Sequence, residues 1–266
     1  MRPRGNSVNF KVGLAQNISV HWTESYFEHL YQKRWALGPA SAATHAQAAH
    51  LLTLLDPPPE LPLLDVACGQ GRYAVPLASL GRHVVALDAS RALLTLGAQQ
   101  AASTSGSLSP RWIRGDMRSL PLASCFGGAL LLDSFGFFDQ DDENLRVLRE
   151  ARRILRPKGR LLTALANGTP ILADFRARDE ERRGSMVLEI DRTLRRKPAQ
   201  LIERITARDP NGIAHFERRQ RLYSCRDLIA LLEAAGFGLC GVSADYEGRP
   251  FDAAVSPKMV ILAEAT

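Results

Sequence analysis

The stretch that most constrains this chain is Leu63–Ala78, LLDVACGQGRYAVPLA. From Leu61 a short apolar run, LPLLDVACG, ends on glycines and gives way to a helical pattern. Such a run suits a strand buried on both faces of a parallel sheet. Glycine lacks a Cβ, so a strand–glycine loop–helix unit lets the backbone pass close to a ligand. The spacing Gly69-x-Gly71-x-x-Ala74, with Asp88 about twenty residues further on, satisfies the dinucleotide fingerprint. Asp65 argues otherwise. A carboxylate at the strand end, four residues ahead of the first glycine, would repel a pyrophosphate and attract a sulfonium ligand bearing an ammonium group. The glycine pattern alone does not choose between the two.

Strand-like and helix-like stretches continue to alternate: HVVALD, SRALLTLGAQQAA, PRWIRGD, GGALLLD, DDENLRVLREARRIL and GRLLTAL. This order predicts a doubly wound α/β sheet. The helix over 141–155 places Asp141, Asp142 and Glu143 at its positive end and Arg152 and Arg153 near its negative end, with Pro157-Lys158-Gly159 closing it. Upstream, residues 24–55 read as helical around Gly38-Pro39 and stop at DPPPE. Between about 184 and 222 the texture changes to two or three alternating strands, separated by turns at Lys197-Pro198 and at Asp209-Pro210-Asn211-Gly212. An antiparallel insertion is expected there. Ser224 and Asp227 form a capping box for the next helix, Gly236 supplies its left-handed stop, and GLCGVSADYEG and PKMVILAEA read as a closing strand pair.

Composition sets the boundaries of function. With 266 residues and 45% hydrophobic content, the chain can build one sizeable core. No segment approaches the ~18 uninterrupted apolar residues of a membrane-spanning helix, and the basic start MRPRGNSVNFKVGLAQ lacks the apolar stretch of a secretory signal. A soluble, cytoplasmic protein is expected. Cys68, Cys125, Cys225 and Cys240 lie far apart without CxxC spacing, which points away from disulfides and zinc. His45 and His50 are five apart and diverge, so no metal site is expected. The net charge of +6 would attract anions at long range without identifying any. The arginine-rich run from Arg176 to Arg204 reads as the solvated face of the insertion strands.

LDVACGQGR, then VVALDAS, then GDMRSLPL resemble, in order, the motifs of class I S-adenosylmethionine-dependent methyltransferases. Residues 21–264 are similar to a bacterial small-molecule subgroup of that class, with WTESYFEHLYQKRW before the sheet and RLYSCRDLIALLEAAGFGL and DYEGRPF after it. The resemblance implies S-adenosyl-L-methionine as cofactor. It implies that Asp65 orients the methionine end, that Ala67, Gly69 and Gly71 lend main chain beside the cofactor, and that Asp88, followed by Ala89, accepts from both ribose hydroxyls. Asp116 would accept from the adenine amine, with Met117 packed on the ring or in the core. The segment after the fourth strand would pass the methyl-bearing sulfur and help form the acceptor pocket, with Asp133 on the cofactor and Ser134 and Phe135 lining the pocket. Gln70 and Tyr73 depart from the small residue and the His common at those positions, without removing a contact.

Methyl transfer is an in-line displacement that chiefly needs alignment, so no catalytic base is assigned. Tyr26, Tyr31, Arg221 and Tyr223 are candidates for the acceptor pocket; Tyr26 and Tyr31 could equally pack on the sheet, and Arg221 reads better as a surface ion pair. Phe137 and Phe138 read as packing. No module for nucleic-acid bases is evident, so the expected partner is a small-molecule acceptor, with no membrane partner and an open oligomeric state. The expected fold is a Rossmann-like, doubly wound, seven-stranded, mostly parallel sheet with an N-terminal helical cover and a small antiparallel β insertion. Its expected parts are a flexible leader (1–20), the cover (21–60), the cofactor-binding core (61–183), the insertion (184–222) and a final helix and strand pair (223–266). An NAD-binding oxidoreductase and a non-catalytic cofactor-binding scaffold are the rival readings.

Overall fold

The apolar runs become strands of a central sheet, and the charged alternating stretch becomes a second one. The computed structural model describes residues 22–35, 40–103 and 108–266; the expected leader and Gly38-Pro39 lie outside them. Strands β1 (Leu63–Val66), β2 (Val84–Asp88), β3 (Arg111–Arg114), β4 (Phe126–Leu132) and β5 (Leu155–Ala166) are followed by β6 (Arg178–Arg183), β7 (Met186–Arg196), β8 (Ala199–Asp209) and β9 (Gly212–Arg221), and then by β10 (Phe237–Ser243) and β11 (Lys258–Ala265). The seven-stranded sheet runs β10-β11-β5-β4-β1-β2-β3. β1 to β5 pair in parallel, and β11 is antiparallel to both neighbours. The mostly parallel, doubly wound sheet is as expected.

Alternation along the strands sends side chains to two cores. Leu63 and Leu130 face α3 (Ala42–Leu55) and α4 (Ala74–Ser79), where Leu51, Leu55 and Leu77 are fully buried. Leu64, Val66 and Leu131 face α6 (Asp141–Ile154) and α8 (Cys225–Ala234), packing on Leu148 and Leu228. Each fully buried leucine contributes about 1.5–3 kcal/mol. The local signals hold: Ser90 caps α5 (Arg91–Ala102), Ser224 and Asp227 close the capping box of α8, and the acidic and basic ends of α6 stand as expected.

The insertion differs from expectation. It is a four-stranded antiparallel sheet, β6-β7-β8-β9, that begins at Arg178 rather than 184. The missed strand, β6, reads RDEERR and is an outer edge with nearly every residue exposed, so it carries no hydrophobic alternation. Short α7 (Gly168–Ala173), capped by Asn167, links β5 to it.

The N-terminal cover is helical over α1 (Trp22–Ser25), a π-helical turn (Tyr26–Leu30) and α2 (Tyr31–Trp35). It packs Tyr26 and Leu30 against Leu188, Ile190 and Ile205 of the second sheet and Phe137 of the main domain. Arg34 reinforces this contact. It is buried, donates to both Glu181 oxygens at 2.7 and 3.2 Å, and lies 3.4 Å from Glu203. Glu203 also accepts from Arg192 at 3.0 Å and Arg218 at 2.9 Å.

Candidate active site

The cofactor candidates gather at the C-terminal edge of the sheet. After β1 the chain turns through Ala67 (φ 54°), Gly69 (φ 58°) and Gly71 (φ 78°) before α4. A Cβ on Gly69 would meet nothing within 4 Å, so its open side forms a cradle. A Cβ on Gly71 would lie 2.4 Å from the Trp112 indole. Packing against Trp112 therefore requires glycine at this position. Gly97 of α5 serves the same close approach, since a Cβ on it would fall 2.4 Å from the Gln70 carbonyl oxygen.

Asp88, at the end of β2, holds this loop. Its Oδ2 accepts from the Gly69 amide and its Oδ1 from the Ser90 amide, each at 2.8 Å. Burial raises its pKa, while those amide bonds oppose the shift. Neighbouring Ala89 is exposed, and its carbonyl accepts from Arg114. Asp65 is buried on β1. Burial, then the Asp88 charge, pushes its pKa to about 7 against a hydrogen bond from the Ala74 amide at the start of α4.

Asp116 differs in character. It is exposed, and Arg118 occupies both its oxygens at 2.7–3.1 Å, so hydrogen bonding to Arg118 holds its pKa down. The Arg118 guanidinium also pairs with Glu143 at 2.6 Å and lies 4.4 Å over the Phe138 ring. Met117 is half-buried against the main core.

Beyond β4, Asp133 has φ 55° and a half-exposed side chain. Its Oδ2 accepts from Lys258 Nζ at 2.9 Å and from the Tyr246 hydroxyl at 3.1 Å. Ser134 is buried, with its hydroxyl donating to the Leu132 carbonyl. Phe135 is fully buried, with its ring packed against Tyr223.

Tyr223 and Arg221 are likewise held by partners within the protein. Arg221 forms a two-point ion pair with Asp141 at 2.8 and 2.9 Å and also donates to the Ala199 carbonyl, while the Tyr223 hydroxyl donates to Asp141. Together they clamp the insertion to the first turn of α6. Tyr26 is buried in the cover and accepts from Arg34. Tyr31 packs among Tyr26, Phe27 and Trp35 in the cover. Its pKa is pushed to about 12 by burial first, then by Tyr26, Asp133 and Asp88, which places its phenol within the field of both carboxylates. Glu28 of the π-helical turn accepts from the Arg91 amide beside Asp88.

Residues 64–163 match the family model described as a methyltransferase domain. These residues form a methyltransferase domain whose methyl donor is S-adenosylmethionine. The match decides for the methyl donor where the glycine spacing also admitted a dinucleotide. This methyltransferase is 26% identical over 207 residues to a cypemycin N-terminal methyltransferase from a Streptomyces species, covering 75% of this chain and 82% of the relative. Its fold is similar to that of the CcbJ methyltransferase from Streptomyces caelestis, with TM-score 0.73, 22% identity, and 92% and 96% of the two chains covered. It is also similar to S-adenosylmethionine-bound CalS10, an amino pentose methyltransferase from Micromonospora echinaspora, with TM-score 0.59, 22% identity, and 84% and 92% covered. The open cradle at Gly69 and the spare acceptor capacity of Asp88 fit such a cofactor.

Sequence reading of the methyltransferase missed Tyr246, Lys258 and Arg118 as neighbours of the site. DYEG and PKMV are visible as segments, but nothing local indicates that they converge on Asp133.

Proposed function

We propose that this methyltransferase transfers a methyl group to an amine nitrogen of a small-molecule acceptor, at the C-terminal edge of β4, β1 and β2. The observation that carries the reading is the row of carboxylates Asp133, Asp65 and Asp88 on these three adjacent strands, beneath Tyr31 of the cover. Three acids on one edge favour cationic groups over anionic ones. The relative aligned over most of this chain is named for an N-terminus and a fold neighbour for an amino pentose; both names denote amine-bearing acceptors.

In this reading Asp88 takes the ribose diol. Each of its oxygens accepts one amide bond, and an ionised carboxylate oxygen has a second lone pair to offer. Asp65 faces the methionine end, with Ala67 and Gly69 lending main chain beside it. Met117 lies along the adenine, and Asp116 can accept from its amine only where Arg118 yields a lone pair. When bound, the cofactor would supply a methyl carbon on a sulfonium, to which the acceptor lone pair would bond as the carbon–sulfur electron pair is left on sulfur. The chain's part is alignment and exclusion of water by the cover and the second sheet. The proton of the methylated ammonium passes to solvent.

The test is calorimetric titration with S-adenosylmethionine, S-adenosylhomocysteine and NAD, followed by mass-spectrometric screening of amine, hydroxyl and thiol acceptors. Micromolar binding of the first two ligands, with methylated amines only, supports the reading. Methylated hydroxyls or thiols in place of amines would overturn it.

A further inference from the structure

Asp133 is held in a way that plain packing does not require. Its backbone sits in the left-handed region at φ 55°, uncommon for a residue other than glycine, and its amide is anchored to the Ala164 carbonyl of β5 at 2.7 Å. Both hydrogen bonds to its carboxylate end on Oδ2: Lys258 from the first residue of β11, and Tyr246 from the loop after β10. Lys258 also donates to the Tyr246 hydroxyl at 3.3 Å and lies 4.6 Å from the centre of that ring. Tyr246 is buried, with its ring edge-on to Tyr73 at 5.6 Å. Burial, then the Asp133 charge, raises its pKa, so the phenol remains a donor at any working pH. Oδ1 accepts no bond from the described residues, and the side chain is 49% exposed. A tie that merely joined β4 to β11 would have no need of a strained backbone or of an oxygen presented to the cleft.

We propose that Asp133 Oδ1 is the docking point for the ammonium or amine hydrogen of the acceptor, and that Tyr246 and Lys258 are positioning residues that fix Oδ2 so that Oδ1 faces the bound substrate. This rests on the amine reading above. An amine bearing N–H groups is the ligand class: a protonated amine first loses one proton to solvent, and a remaining N–H then donates to Oδ1, which directs the freed lone pair along a defined line. Lys258 balances the third carboxylate of the edge, and Tyr246 sets its angle. The cofactor's own α-ammonium has the same chemistry, and the experiment separates the two sources.

Asp133→Asn, Tyr246→Phe, Lys258→Met and Lys258→Arg are compared with the wild-type chain, since Asn tolerates the left-handed backbone. Binding of S-adenosylhomocysteine and of methylthioadenosine, which lacks the amino acid, is measured by calorimetry. Steady-state kinetics use a peptide with a free α-amino group and a methyl glycoside of an amino sugar. The expected result is that KM for the amine rises about tenfold or more in Asp133→Asn and about three- to tenfold in Tyr246→Phe and Lys258→Met, with kcat nearly unchanged. Lys258→Arg should restore most of the loss, and S-adenosylhomocysteine affinity should stay within about twofold throughout. A general loss of thermal stability without the KM–kcat split would overturn the proposal in favour of a structural tie. Loss of S-adenosylhomocysteine affinity in Asp133→Asn with methylthioadenosine affinity intact would overturn it in favour of the cofactor's ammonium. A wild-type chain that binds S-adenosylhomocysteine and methylates neither amine would overturn the amine reading itself, separately from any variant.

Discussion

At the scale of residues, two aspartates that look alike in sequence are set apart by their surroundings. Asp88 is buried with acceptor capacity to spare, whereas Asp116 is exposed and bound to Arg118. Asp88→Ala is therefore expected to weaken S-adenosylhomocysteine binding by ~1.5–3 kcal/mol, as loss of hydrogen bonds to a charged group implies. Asp116→Asn is expected to change it by less than ~0.5 kcal/mol; isothermal titration of both variants measures the contrast. Asp65 gives a pH signature. With its pKa raised to about 7 in the free chain, it is partly protonated near neutrality, and an arriving ammonium favours the ionised form. Binding should release up to about one proton near pH 6 and almost none above about pH 8, read from binding enthalpies in buffers of different ionisation enthalpy; an Asp65→Asn variant should lose the release. Asp65 and Asp88 were legible because strand ends and glycine spacing are local. The Asp133 partners were not, since Tyr246 and Lys258 lie 113 and 125 residues away in sequence. Gly71 was legible as a glycine, but its reason, the Trp112 indole, lies on another strand.

At the scale of elements, the cover and the second sheet are joined through charge as well as apolar packing. Glu203 is 3% exposed and accepts from Arg192 and Arg218, with Arg34 beside it. Burial alone would raise its pKa, yet the three arginines bring it down to about 2. Glu203→Ala removes the buried acceptor shared by Arg192 and Arg218, leaving Arg34 paired with Glu181 and Arg192 with Asp179, and should destabilise the chain by about 3 kcal/mol, measured by urea unfolding. The sign in pH follows from the lowered value. The contribution is complete above the ordinary glutamate range near 4.5 and is lost as pH falls toward 2, so the variant and the wild type should converge in acid. None of this was legible beforehand, because Arg34, Glu181 and Glu203 belong to three distant segments and each reads alone as a surface charge. Helix α6 and the α8 capping box were legible because their signals fall within a few residues of each other.

At the scale of the whole molecule, the order of apolar runs was enough to give the seven-stranded sheet, since each parallel pair needs a crossover and the helices supply them. It was not enough to number the strands of the insertion, where β6 is specified by pairing with β7 rather than by any hydrophobic face. Cofactor binding should stabilise the fold globally: at about 100 times Kd, S-adenosylhomocysteine should contribute about 2.7 kcal/mol and raise Tm by roughly 5–10 °C. Differential scanning fluorimetry reads this directly, and NAD at the same concentration should leave Tm in place. The charged strand β6 bears on how such a protein survives at high concentration in a crowded compartment. A protruding sheet whose outermost strand offers unpaired amides and carbonyls is a template for fibre growth. Arg178, Asp179, Glu180, Arg182 and Arg183 make an incoming strand desolvate a charge at nearly every step, which opposes extension of the sheet along this rim.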